Sequence, residues 1–279
     1  LTKSMFLEQS LHKLKTYFTK DLLNGLFNIF SFQINKTLNQ VNVSELKEPH
    51  LVQLFNRFAT YNGSSPYKTP GMMTLVQHLE QEYGTYVSEK GMQNITSSLY
   101  ELALRHGVNF KFNSYVSEIV VSNKRAIGIM VEEKSYESDI VISNMDVVPT
   151  YRNLLKNHYR PEKTLNQERS SSALIFYWGI KKEFKNLDLH NIFFSKDYKS
   201  EFHSIFENNS ISSDPTIYIN ITSKDVKGDA PKNCENWFVM INSPNDSGQD
   251  WDSMIDKVRI NVIKKINKIL NVNIEDYIE

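Results

Sequence analysis

The chain has 279 residues and a mass of 32.5 kDa, with 32 basic against 32 acidic residues and 40% hydrophobic residues. That length allows one large or two smaller globular domains with a substantial buried core. Zero net charge argues against a dedicated nucleic-acid binder, because phosphate affinity draws on a basic footprint. The single cysteine, Cys234, excludes intrachain disulfides and cysteine-based zinc sites.

The first residues lack the charged, apolar and cleavage regions of a signal peptide, so none is expected, and with Leu rather than Met at residue 1 the sequence reads as an excised middle. No apolar run approaches the roughly 20 residues of a membrane span, and mean hydropathy is -0.43. From Met5 to Phe30, Leu7, Leu11, Leu14, Phe18, Leu22, Leu26 and Phe30 recur at helical spacing, with Lys3, Lys13, Lys15 and Lys20 around them. Such a helix either packs its apolar face on a core or lies in a membrane interface with its lysines toward anionic head groups. Ser31 to Pro49 is Asn-rich and reads as a helix end and connector.

Leu51 to Leu79 is an aromatic-rich segment interrupted by a turn at Asn62-Gly63-Ser64-Ser65-Pro66, followed by a second helical run. The spacing predicts a helix from Gly91 through Ile95, Leu99, Leu102 and Ala103, stopped at Gly107. Three short strands are expected at Val116 to Ser122, Ala126 to Val131 and Asp139 to Ser143, the first two joined by an Asn123-Lys124 turn. After a polar stretch from Lys156 to Ser172, a second sheet is expected from Ala173 to Ile180, Thr216 to Thr222 and Trp237 to Ile241, with a helix at Tyr198 to Phe206. A final helix starts at the N-cap Asp250 and puts Trp251, Ile255, Val258, Val262, Ile266 and Ile269 on one face.

The sequence has no nucleophile elbow, zincin motif, phosphate loop or dinucleotide fingerprint, and its seven histidines form no metal-ligand pair at helical spacing, so no metal site is expected. The positive feature is aromatic. Fourteen Tyr, 16 Phe and 3 Trp cluster at Phe55, Phe58, Tyr61 and Tyr67 and at Phe176, Tyr177 and Trp178. Such clusters either line an apolar tunnel or build ordinary core.

The run Phe55-Asn56-Arg57-Phe58-Ala59-Thr60-Tyr61-Asn62-Gly63-Ser64-Ser65-Pro66-Tyr67 resembles the bacterial phytoene-desaturase-type carotenoid desaturases, flavoproteins of the amine-oxidase-like superfamily. The likeness continues in order through Tyr83-Gly84-Thr85-Tyr86, Gly91-Met92, Ser143-Asn144-Met145-Asp146-Val147-Val148-Pro149-Thr150-Tyr151, Ala230-Pro231 and Cys234-Glu235-Asn236-Trp237. Ser170 to Ile180, Leu189 to Ser195 and Asp214 to Ser223 are similar to the flavobacterial type, including desaturases of hydroxylated carotenoids. The chain departs from the pattern at Tyr86-Val87-Ser88-Glu89-Lys90-Gly91, where the family has Tyr-Pro-x-Gly-Gly, and at Met145, where it has Ala. The family's dinucleotide fingerprint and its later Gly-rich flavin segment lie beyond the two ends of this sequence.

The resemblance implies a mixed α/β (α+β) fold, the central part of a two-domain FAD-dependent oxidoreductase. Residues 1–80 would form a membrane-associated substrate part, 81–148 a portion of the FAD-binding domain and 149–279 the substrate-binding sheet and helices. It implies FAD as cofactor and desaturation of a carotenoid polyene, the hydride passing to the flavin. Location would be cytoplasmic with peripheral membrane attachment, which favours the interfacial reading of Met5 to Phe30. A carotenoid isomerase or oxidase of the same superfamily, and a non-catalytic apolar-ligand or membrane-surface module, are the alternatives.

The aromatic residues Phe55, Phe58, Tyr61, Tyr67, Phe176, Tyr177 and Trp178 would contact substrate. Val116, Asn144 and Asp146 would approach the cofactor, although Val116 also reads as a buried strand residue and Asp146 as a cap. Arg57, a cation among aromatics, is either a catalytic proton-transfer or polyene-end group or a structural ion-pair partner. Asp214 before Pro215 reads as a turn former.

Overall fold

The computed structural model describes residues 33–89, 91–226 and 228–279, together with Lys13, Phe18 and Lys20. The helix expected from Met5 to Phe30 lies outside the described residues. The chain divides into two compact units, one drawn from Leu1–Met92 and Ser170–Glu279, the other from Gln93–Arg169.

In the first unit the segment expected as a connector contains helix α1, Leu38–Leu46. A capping box starts it: Thr37 Oγ1 accepts from the Gln40 N–H, and Gln40 Oε1 accepts from the Thr37 N–H. The cap and the burial of Leu38 and Val41 outweigh the poor helix propensity of the asparagines. Buried Asn42 donates to Asn56 Oδ1 at 2.9 Å, and Asn56 donates to Asn39 Oδ1 at 2.8 Å, joining α1 to α2, Pro49–Asn56. The chain then tightens into a 3₁₀ turn, Arg57–Asn62, which ends at left-handed Gly63. Helix α3, Thr74–Tyr83, is the second helical run.

The four-stranded sheet of this unit is wholly antiparallel and consists of β4 (Ser172–Ile180), β5 (His190–Phe193), β6 (Ile217–Asn220) and β7 (Glu235–Ser243), in the spatial order β4-β7-β6-β5. One face of it presents Trp237, Val239, Ile241, Ile217 and Ile219 to the final helix, Trp251–Leu270, which answers with Val258, Val262 and Ile266. This is the main core, and the helix starts at Asp250, whose carboxylate accepts from the Ser253 N–H. Between β5 and β6 lies α5, Tyr198–Phe206, capped by Asp197. The final helix is therefore α6. Its Lys265 donates to Phe194 O, Pro215 O and Asp214 Oδ1 at 2.9, 2.8 and 2.7 Å, tying it to the ends of β5 and β6.

The second unit contains α4, Gln93–Arg105, and a meander of β1 (Val116–Ser122), β2 (Arg125–Val131) and β3 (Lys134–Glu137). Gly107, at φ +78°, follows α4, and the Val108 N–H returns to Ala103 O. Both hairpins turn on two residues with positive φ, Asn123-Lys124 and Glu132-Glu133. Such turns match the twist of the strands they join. The third strand therefore comes earlier than expected. The stretch from Asp139 to Ser143 pairs with no strand among the described residues, and Ile140 and Ile142 are 74% and 89% exposed.

Among the described residues no helix is long and apolar enough to cross a membrane, and no cluster of His, Cys, Asp or Glu is arranged to hold a metal ion.

Candidate functional site

Strand alternation gives the four-stranded sheet a second face, turned away from α6. On it the registers align Tyr177, Phe238, Asn220 and His190 in one cross-strand row and Ile175, Met240, Tyr218 and Ile192 in the next. Tyr177 is 78% exposed and meets the ring of Phe238 edge-on at 5.5 Å. A cleft of ≈ 390 Å³ opens beside them, lined in part by Gly179, Asn220, Thr222 and Asn236.

The polar groups of this face are already connected. His190 Nδ1 lies 2.7 Å from the Tyr218 hydroxyl and 3.2 Å from Asn220 Nδ2, which also donates to Leu189 O at 3.1 Å. At the cleft, Asn236 donates to Thr222 Oγ1 at 2.7 Å, and Thr222 donates to the Asp229 carboxylate.

Arg57 stands at the start of the 3₁₀ turn with its guanidinium 5.5 Å from the Phe58 ring centre and 6.0 Å from that of Tyr61. Its Nε is buried without a hydrogen-bond partner, and it makes no ion pair among the described residues. Burial raises the phenol pKa values of Tyr61, Tyr198 and Tyr218, and the Arg57 charge opposes each rise. The Tyr198 hydroxyl is likewise buried without a partner. Arg57 is thus a cation beside phenols, and the ion-pair reading of it fails among the described residues.

The expected aromatic contacts separate into two groups. Tyr177 lies on the open face, and Tyr61, 56% exposed, donates to Glu80 Oε2 at 3.0 Å and acts electrostatically on Tyr218. Phe176 and Trp178 point the other way and pack in the core under α6, because three consecutive strand residues cannot share one surface. Phe55 stacks on Phe58, and Phe58 is buried against Leu38 and Ala59. Tyr67 meets Phe202 of α5 edge-on at 6.3 Å, and its phenol is pushed up to about 12, chiefly by burial and then by the charges of Asp197 and Glu201.

In the second unit Val116 opens β1 half-buried. Asn144 is exposed, and Asp146 Oδ1 accepts from the Val148 N–H at 2.8 Å, capping the turn at Val147–Pro149. Ser143 and Thr150 join their hydroxyls at 3.0 Å beneath this loop. Asp214 is structural: burial raises its pKa, but the Lys265 ammonium and the Lys196 N–H hold it below the usual carboxylate range.

His190, Tyr218, Asn220 and Tyr198 were not singled out by sequence reasoning. A signal existed for two of them, since in Ile217-Tyr218-Ile219-Asn220-Ile221 the non-aliphatic residues alternate with buried isoleucines.

The sequence profile of flavin-containing amine oxidoreductases matches residues 7–176. The 1-hydroxycarotenoid 3,4-desaturase of Flavobacterium sp. (strain P99-3) is 55% identical over 278 residues, spanning 100% of this chain and 57% of that protein. A 4,4'-diapolycopene oxygenase of Methylomonas sp is 31% identical over 212 residues, covering 75% of this chain and 43% of that protein. An oxidoreductase structure from Methanosarcina mazei superimposes with a TM-score of 0.59 at 13% identity, covering 96% of this chain and 60% of that one. The chain spans about half the length of the curated relatives it matches. With more than half of its residues inside the family profile, the chain belongs to the flavin-containing amine oxidoreductases.

Proposed function

We propose that this chain is the central part of a FAD-dependent carotenoid desaturase that introduces carbon–carbon double bonds into a hydroxylated polyene. The observation that carries the reading is the 55% identity to a 1-hydroxycarotenoid 3,4-desaturase along the length of this chain. The open sheet face agrees with it. Ile175, Tyr177, Phe238 and Met240 offer an apolar surface to a rigid, water-insoluble rod and exclude water along it.

When bound, the flavin supplies the hydride acceptor. Val116, Asn144 and Asp146 are the residues of this chain assigned to it. The fit rests on the loop geometry: the Asp146 cap and the Ser143–Thr150 pair fix the turn while Asn144 stays exposed. Arg57 is assigned to the polar end of the substrate and fixes its depth. Residues 81–148 are assigned to the flavin domain, with 1–80 and 149–279 assigned to the substrate side.

The full-length protein, expressed in a host that accumulates a hydroxylated acyclic carotenoid, is expected to yield a product lighter by two hydrogens per turnover. A product that has gained oxygen would replace this reading with the second one, favoured by the 31% identity to a diapolycopene oxygenase. Neither product, from a protein without flavin, would leave an apolar-ligand module.

Peripheral membrane attachment in the cytoplasm belongs to the same proposal, since the substrate resides in lipid and Met5 to Phe30 is apolar on one face and basic around it. Replacing Leu11, Leu14 and Phe18 with Asp is expected to release the full-length protein from anionic liposomes. Unchanged sedimentation with the vesicles would assign that segment to a core.

A further inference from the structure

The open face of the four-stranded sheet is divided lengthwise. Its β4 and β7 side carries Ala173, Ile175, Tyr177, Phe238 and Met240 between Asn236 and Asn242, and a hydrocarbon rod satisfies the apolar middle by contact alone. Its β6 and β5 side carries Tyr218, Asn220 and His190 beside Ile192, and a hydrocarbon leaves the three polar groups unmatched.

The hydrogen bonds of this polar side run among its own members and leave further donors and acceptors open. The Tyr218 hydroxyl and Asn220 amide are held by one imidazole nitrogen of His190, at 2.7 and 3.2 Å. Asn220 Nδ2 can only donate, so His190 Nδ1 accepts and the imidazole proton sits on Nε2, leaving the Tyr218 lone pairs and the Nε2 N–H for a third group. Arg57 acts electrostatically on Tyr218. A neutral oxygen that donates and accepts at once, an alcohol, answers this set.

We propose that Tyr218 and His190 recognise the hydroxyl at the end of the polyene and set the preference for a hydroxylated over a hydrocarbon carotenoid. The inference rests on the carotenoid-desaturase reading and deepens it by naming the residues that select the substrate. Apolar contact discriminates weakly between two rods that differ by one hydroxyl. A site built to hydrogen-bond that hydroxyl rejects the analogue lacking it far more strongly.

The test compares kcat/KM for a 1-hydroxylated acyclic carotenoid and its hydrocarbon parent in the same detergent micelles, using full-length holoenzyme and the variants Tyr218→Phe and His190→Phe. Equilibrium binding of both polyenes, read by quenching of tryptophan fluorescence, is measured alongside, with thermal midpoint and flavin content as checks on folding. The wild type is expected to prefer the hydroxylated polyene by roughly tenfold or more, and each variant to lower the ratio of the two substrates by about fivefold or more, in binding as in turnover. A wild-type preference below about fivefold, or a smaller change of the ratio in both variants, overturns the inference. Wild type that desaturates both polyenes alike removes this assignment and leaves the desaturase reading standing. Wild type that converts neither removes both.

Discussion

Glu201 is 1% exposed on α5, and its carboxylate accepts from the Thr216 N–H at 3.1 Å and from Thr216 Oγ1 at 2.6 Å. Burial raises its pKa, while Ser195, Thr216 and Lys265 oppose the rise without cancelling it. The folded protein therefore keeps this proton to a higher pH than the unfolded chain does. Stability accordingly falls as pH climbs from the usual carboxylate range toward the raised value, and levels off above it. Glu201→Gln keeps the shape and removes the titration, so urea unfolding across pH is expected to show a smaller decline in the variant than in the wild type. Gly63 is constrained by geometry instead. At φ +59°, an added Cβ would meet Ser170 Cβ at 2.7 Å and Ser171 O at 3.1 Å. Its carbonyl also accepts from the Ser171 N–H at 2.7 Å. Gly63→Ala is expected to cost about 2 kcal/mol or more, read as a lower urea midpoint, from left-handed strain plus displacement of the 170–171 backbone.

Among the elements, the meander carries a correctable strain. Lys124 and Glu133 occupy the second positions of two-residue turns at φ +62° and +66°, where glycine is at ease and a side chain is not. Lys124→Gly and Glu133→Gly are each expected to raise stability by about 0.5–1 kcal/mol, measured as the shift of the denaturation midpoint. On α6 the outcome follows burial: Ile266→Ala costs about 2–5 kcal/mol, whereas Ile269→Ala, on a side chain 47% exposed, stays within about 0.5 kcal/mol. Elements with strong local signals were legible in the sequence. Tyr198–Phe206 and the start of α6 at Asp250 fall where period and cap placed them. Helix α1 was missed because asparagines masked a capping box, and β3 because its turn is a pair of glutamates rather than Asn-Gly. The alternating apolar residues of 139–143 mimic a strand, but a strand also needs a neighbour, which no local pattern reports.

In the molecule as a whole, the candidate site was half legible. Arg57, Tyr61 and Tyr177 could be picked out as residues, but the open face that carries Tyr177 is assembled by the registers of four strands far apart in sequence. No linear pattern brings His190 beside Tyr218 or sends Phe176 and Tyr177 to opposite sides of a sheet whose neighbours are unknown. Stability is also unevenly distributed. The β4–β7 ladder runs unbroken from Ser172↔Ser243 to Ile180↔Glu235 over a dry core, whereas α4 buries no residue. Hydrogen exchange on the intact protein is expected to leave the amides of 237–241 protected longest and those of α4 exchanging sooner; equal protection would contradict this gradient.

The strand order β4-β7-β6-β5 also has a consequence in time. Among the described residues, the first strand of the sheet to be synthesised sits at one edge, and its neighbour is the last. While the ribosome makes α5, β5 and β6, the apolar side of β4 has no partner, and no sheet can close until β7 and then α6 have emerged. Closure of the sheet is therefore a long-range step late in synthesis, although β5 can pair with β6 before it. Until then Trp178 and Ile180 lack the partners that bury them in the native core, a transient apolar exposure that favours aggregation.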